Sequence, residues 1–240
     1  MITKRAAHGP FLERPHFSDV EFERIALDAL KDVGLYPSSP GPIRIDRFIE
    51  KKFSIVPEYE DLPTGVLGYT RFGAEGVEAV VVAKALDAEN TEVARRRIKT
   101  TLAHEGSHGL LHAPLFAMAD AGRTVALFEN DGDISATKML CRTGAAQGGG
   151  AAKNRGYDKR WWEYQANQLM GALLIPRALM VESLTDLLTG SGSMGLQVLE
   201  EGKRERAAQL LSEVFDLNPI VASIRLDKIY PKGGDLQLTL

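Results

Sequence analysis

The sequence predicts an α+β protein in which a small twisted sheet packs on one long helix and a mostly helical C-terminal part follows. Three observations carry that expectation. FSIVPEY, TGVLGYTRFG and VEAVVVAK crowd between residues 53 and 84, and their β-branched and aromatic content is strand chemistry. A long stretch with helical spacing, residues 89–113, comes directly after them. Beyond residue 160 apolar positions recur at helical spacing along most of the chain. Of 240 residues 44% are hydrophobic, enough for the core of one large domain or a domain with an appendage.

Taken in order, residues 1–18 carry prolines and no period, and read as a loose N-terminal arm. Residues 19–33 place Phe22, Ile25 and Leu30 on one helical face, with Ser18 or Asp19 as cap and Gly34 as stop. YPSSPGP is a loop, and residues 44–52 form a second short helix. The three strands follow, the last two joined by the turn AEG. VEAVVVAK is expected at a free sheet edge, where an extended peptide can pair with it. After the long helix, residues 114–160 are the least regular, with strands expected at RTVALFEN and ISATKMLCR and a flexible loop at 144–156. Helices are expected again at 161–175, 176–188, 196–215 and 219–229, with TGSGSMG as a linker.

Several function classes drop out early. A net charge of −3 provides no basic surface for nucleic acid. One cysteine, Cys141, allows no intramolecular disulfide, which suits a reducing cytoplasm. The N-terminus lacks a signal-peptide apolar run, and no stretch reaches the roughly 18 apolar residues of a membrane helix. A cytoplasmic protein with no membrane and no direct nucleic-acid partner is expected.

The chemistry is concentrated in TLAHEGSHGLLH, residues 101–112. His104 and His108 lie four apart, so on a helix both imidazoles project from one face, about 40° apart. That spacing lets both nitrogens bind one metal ion at ~2.0–2.1 Å. Glu105 cannot join them from that face, but it can reach the ion's open position and take a proton from water there. His112, one turn on, is a candidate supporting residue. Gly106 and Gly109 are poor helix formers; they serve either close approach of a substrate or tight packing.

The third ligand decides the class. The pattern with a third His two turns further on is excluded, because GLLHAPLFA follows His108 and no His occurs after 112. A Glu from a second helix completes a His₂Glu set. Glu163 in WWEYQANQLMGALLIP is the candidate, with Asn167 on the same face to orient a ligand His. Zinc fits that donor set, and manganese is an alternative. Arg95, Arg96 and Arg97 read as a solvated helix face, and Trp161 and Trp162 as packing or as groove walls. Tyr157, Tyr164, Arg155 and His112 are candidate oxyanion stabilisers.

RIKTTLAHEGSHGLLH and EYQANQLMGALLIP together resemble the ImmA/IrrE-type metallopeptidases, over roughly residues 20–230. The resemblance implies a zincin-like, gluzincin-type domain at 19–176 carrying an insertion at 114–160, and a helical region at 177–240. It implies His104, His108 and Glu163 as metal ligands and Glu105 as catalytic base. It also implies a bacterial or mobile-element protein that cleaves a helix-turn-helix repressor and so regulates transcription. The chain departs from the pattern at Gly106, in the long insertion, and at Asn218–Pro219, where a Ser is usual. Two other functions fit the same residues: a metal-binding regulator that does not cleave, and an aminopeptidase.

Overall fold

A computed structural model describes residues 2–5, 13–73, 75–118, 138–142, 161–191 and 196–232. The N-terminal segment departs from the loose arm expected of it. Strands β1 (Ile2–Arg5) and β2 (Glu13–His16) pair antiparallel, Thr3 opposite Pro15. Helix α1 (Asp19–Asp32) then starts on a capping box. Ser18 N–H donates to Glu21 Oε2 at 2.8 Å, and Glu21 N–H donates to Ser18 Oγ at 3.4 Å. Phe22, Ala26, Ala29 and Leu30 form its buried stripe.

Helix α2 (Ile45–Phe53) runs through the start of the expected strand and stops at Ser54, whose φ is 59°. Only its last two residues are strand, the start of β3 (Glu58–Glu60). Strands β4 (Val66–Gly73) and β5 (Gly76–Ala83) form the expected antiparallel pair. With β6 (Lys138–Arg142) they make a four-stranded sheet in the order β3-β5-β4-β6. β5 is therefore interior, with β3 parallel along Val81–Ala83, which corrects its expected place at a free edge. RTVALFEN, residues 134–137 of the second expected strand, and the 144–156 loop lie outside the described residues.

Short helix α3 (Lys84–Ala88) separates the sheet from α4 (Glu92–Met118). The long helix begins at Glu92 rather than 89 because Asn90 is left-handed, with φ at 44°, and the Thr91 hydroxyl accepts from Ala94 N–H. It crosses the sheet over Gly68 of β4, where any side chain is excluded: a Cβ there would lie 2.6 Å from the Val81 carbonyl oxygen and 2.7 Å from Thr101 Cγ2.

Helix α5 (Trp161–Leu174) packs beside α4 and against α1. Helix α6 (Arg177–Ser183) is shorter than expected; the Thr185 hydroxyl donates to the Glu182 carbonyl oxygen at 2.9 Å, just past its end. TGSGSMG does not work as a linker before a helix. Its first three residues belong to strand β7 (Leu188–Ser191), which pairs with β8 (Leu196–Leu199), so the helix expected from residue 196 becomes α7 (Arg204–Phe215). Helix α8 (Pro219–Ile229) closes the described chain.

One hydrophobic cluster runs from Phe22 on α1 through Phe48, Val80, Leu102 and Leu173 to Phe215 and Leu226. Buried Arg225 ties its two ends, donating to both oxygens of Glu23 at 2.6 and 2.8 Å and to the Ile175 carbonyl oxygen. Among the described residues no helix is long and apolar enough to cross a membrane.

Candidate metal centre

α4 and α5 lie side by side, and their facing surfaces carry the polar residues singled out in the sequence. His104, Glu105, His108 and His112 are all 0% exposed, an unusual load of polar groups for one buried helix. The helical repeat stacks the three His one above another, and α5 brings Glu163 and Asn167 across from them.

His104 Nε2 and His108 Nε2 are 3.1 Å apart. Glu163 Oε2 is 3.3 Å from the first, and Oε1 is 3.5 Å from the second. For tetrahedral coordination with bonds of ~2.0–2.2 Å, ligand atoms sit about 3.3–3.6 Å apart. The two separations to Glu163 match such an edge, and the His104–His108 separation of 3.1 Å is slightly shorter. Glu163 Oε2 is buried, and despite its nearness to His104 no hydrogen bond closes on it. His104, His108 and Glu163 form a group able to hold a metal ion.

Electrostatics within the group follow burial and pairing. Burial alone would lower the His104 pKa, but the adjacent Glu163 carboxylate more than offsets it and the net direction is up. His108 is held below its ordinary value by burial, against the pull of Glu163. Glu163 is the mirror case: burial opposes its charge, but the two imidazoles hold its carboxyl well below the usual carboxylate range.

Glu105 points to the sheet instead of to α5. The Thr70 hydroxyl of β4 lies 2.6 Å from Glu105 Oε2 and 3.0 Å from the Glu105 carbonyl oxygen, and its single proton serves the closer carboxylate. Oε1 is buried with no hydrogen-bond partner. Burial pushes this carboxyl up to about 8, against the lowering effects of His104 and Thr70. Gly68 makes the arrangement possible by letting β4 approach the helix, with its Cβ position 3.6 Å from Glu105 Cγ.

Each of the two His in the group has a partner behind it. His104 Nδ1 is 3.2 Å from Asn167 Oδ1. His108 Nδ1 is 3.0 Å from His112 Nδ1, His112 Nε2 is 3.1 Å from Gln165 Oε1, and Gln165 Nε2 donates to the Pro15 carbonyl oxygen at 2.5 Å. Burial lowers His112 to about 3, with His108 adding to the effect, so its imidazole is neutral. Trp161 meets the edge of His112 at 5.6 Å, and the Arg14 guanidinium lies 5.8 Å over Trp161.

The structure brings together His104, His108, Glu163, Asn167, His112 and Glu105. With both ring nitrogens engaged, His112 is no oxyanion donor. Trp161 and Trp162 are buried. Arg155 and Tyr157 lie outside the described residues. Gly106 and Gly109 serve packing: added Cβ atoms would meet Ile49 Cδ1 and Phe53 Cζ, each at 2.7 Å. Of the three arginines, Arg96 is partly covered and bonds Glu92 and Asp216. Thr70, Gln165, Gly68 and Pro15 escaped the sequence reading. The one local signal among them was Gln165, two residues from both Glu163 and Asn167. Comparison with known protein families and with curated proteins finds no match for this chain.

Proposed function

We propose that this chain is a zinc-dependent endopeptidase that hydrolyses a peptide bond in a cytoplasmic regulatory protein, a helix-turn-helix repressor. One observation carries the reading: two Nε2 atoms and a carboxylate converge to within 3.5 Å of one another, while Glu105 keeps a buried oxygen without a partner. The substrate class comes from the likeness of the two motifs to ImmA/IrrE-type metallopeptidases. Zinc suits two imidazoles and a carboxylate, and manganese is the second choice.

A bound divalent ion supplies Lewis acidity, polarising the scissile carbonyl and making water a better nucleophile near neutrality. The chain's own residues do the rest. His104 and His108 each present an Nε2 lone pair, and Glu163 presents negative charge. Thr70 holds Glu105 Oε2, which leaves Oε1 to accept the proton of the attacking water and return it to the departing amine nitrogen.

The test pairs metal analysis with cleavage of quenched peptides blocked at both ends. Wild type is expected to hold about one zinc per chain and to cut internal bonds. Glu105→Gln is expected to keep the zinc and to lose about 10²- to 10⁴-fold in rate. Equal cleavage by both proteins rejects the assigned base. Zinc-loaded wild type that cuts no member of a broad library points to a metal-binding regulator, and cleavage only of unblocked peptides points to an aminopeptidase.

A further inference from the structure

We propose that Gln165 is a positioning residue: anchored on the Pro15 carbonyl, it fixes the tautomer of His112 and through it that of His108, turning the His108 Nε2 lone pair toward the metal position. The inference rests on the metal-centre reading for its purpose, but the tautomers are a property of the chain itself.

The argument is one of hydrogen-bond polarity, and its fixed point is a group that cannot reverse. A proline carbonyl has no proton to give. The Gln165 atom 2.5 Å from it is therefore the amide NH₂. The other end of that amide, 3.1 Å from His112 Nε2, is then its oxygen, which only accepts. So His112 carries its proton on Nε2. A neutral imidazole has only one, and His112 Nδ1 is left with a lone pair. That lone pair faces His108 Nδ1 at 3.0 Å, so His108 must donate from Nδ1. Its Nε2 is then unprotonated, 3.1 Å from His104 Nε2 and 3.5 Å from Glu163 Oε1.

Every member of this chain is buried. His108, His112 and Gln165 are 0% exposed, so water cannot take over a missing partner. Reversing one link would set two N–H groups or two lone pairs against each other at hydrogen-bond distance. The anchor belongs to the N-terminal hairpin, 93 residues before His108 in the chain, and is held there by the pairing of Thr3 with Pro15.

Histidine tautomers are read directly from the ¹⁵N shifts of ¹⁵N-histidine-labelled full-length protein, with and without added zinc. The expected result is protonated Nε2 in His112 and protonated Nδ1 in His108 in both samples. Without zinc His104 carries a proton on the Nε2 that faces the His108 lone pair at 3.1 Å, and with zinc it carries its proton on Nδ1. In Gln165→Leu, His112 should lose its single tautomer and zinc affinity should fall about 10- to 100-fold, with the His104 signature unchanged. Gln165→Glu keeps an acceptor toward His112 and should keep the His112 tautomer, although a carboxylate now faces the Pro15 carbonyl. A mere packing role would leave His112 alike in both variants. His112 protonated at Nδ1 in the wild type overturns the proposal, as does Gln165→Leu with wild-type tautomers and zinc affinity. If Gln165→Leu does not fold, the wild-type and Gln165→Glu spectra decide. Correct tautomers in a protein that takes up no zinc would sink the metal centre and leave the relay standing. Zinc uptake with the wrong His112 tautomer would sink the relay alone.

Discussion

The two histidines of the candidate metal centre sit one turn apart on the same helix and are held in different ways. His104 is served by a single amide, Asn167, one turn from Glu163 on the same helix. His108 is served by a chain that passes through His112 and Gln165 and leaves the helix pair for the N-terminal hairpin. Glu105, between them in sequence, is held by neither and leans on Thr70 of the sheet. Three neighbouring positions of the candidate site thus depend on three separate parts of the fold. Neighbours on a helix share a backbone, but their side chains leave it about 100° apart per residue and meet different surroundings.

The largest expected effect erases the contrast. His104→Ala and His108→Ala each remove a ligand, and zinc content measured after dialysis should fall from about one ion per chain to none in both. Retention of zinc by either variant would show that the ion sits elsewhere.

Next comes the residue held by the sheet. In the metal-free folded protein the Glu105 carboxyl is pushed up to about 8, above its ordinary 4.5. Between those values the unfolded chain releases a proton that the folded chain keeps, so stability falls as pH rises through the window and is level above it. For a fully buried group the slope sums to a few kcal/mol. Metal-free Glu105→Gln should lack it, melting several degrees above wild type at pH 8 and close to it near pH 4.5. Parallel melting curves at the two pH values would show that Glu105 is not buried as an acid.

The contrast between the histidines is sharpened by a double-variant cycle. Asn167→Leu and Gln165→Leu should each weaken zinc binding about 10- to 100-fold. If the two supports are independent, the double variant multiplies the losses to within about twofold. A marked departure means that the arms communicate through the adjoining Nε2 atoms. The smallest effect lies on the opposite side of α4. Gly106→Ala improves helix propensity by about 1 kcal/mol and presses on the flexible tip of Ile49, so net stability should change by no more than about 1–2 kcal/mol, with zinc affinity unaltered. A large loss of zinc there would mean that the packing face and the histidine face are coupled.

What could be read from the sequence follows the same division. His104, Glu105 and His108, and the pair Glu163 and Asn167, were legible because each set lies on one helix, where spacing alone determines which side chains share a face. Thr70 and Gly68 were not, since a strand residue acquires its role only when the sheet docks on α4. Pro15 was the least visible, contributing a carbonyl from a segment whose prolines read as a loose arm. The same limit appears in the fold. LQVL looks helical beside EEGKRERAAQLL, and becomes strand because it pairs antiparallel with Leu188–Ser191.

Since the anchor for His108 is main chain, substitutions at position 15 that preserve the hairpin leave the acceptor in place, and side-chain scanning passes over it. Spacing is a different matter. Only Phe17 and Ser18 separate β2 from the capped start of α1, so removing one of them would tow the carbonyl about 3.3 Å along its strand and out of reach of Gln165. At this corner of the molecule the chain should tolerate changes of letter and resist changes of length, and deletion mapping rather than alanine replacement is the tool that would reveal it.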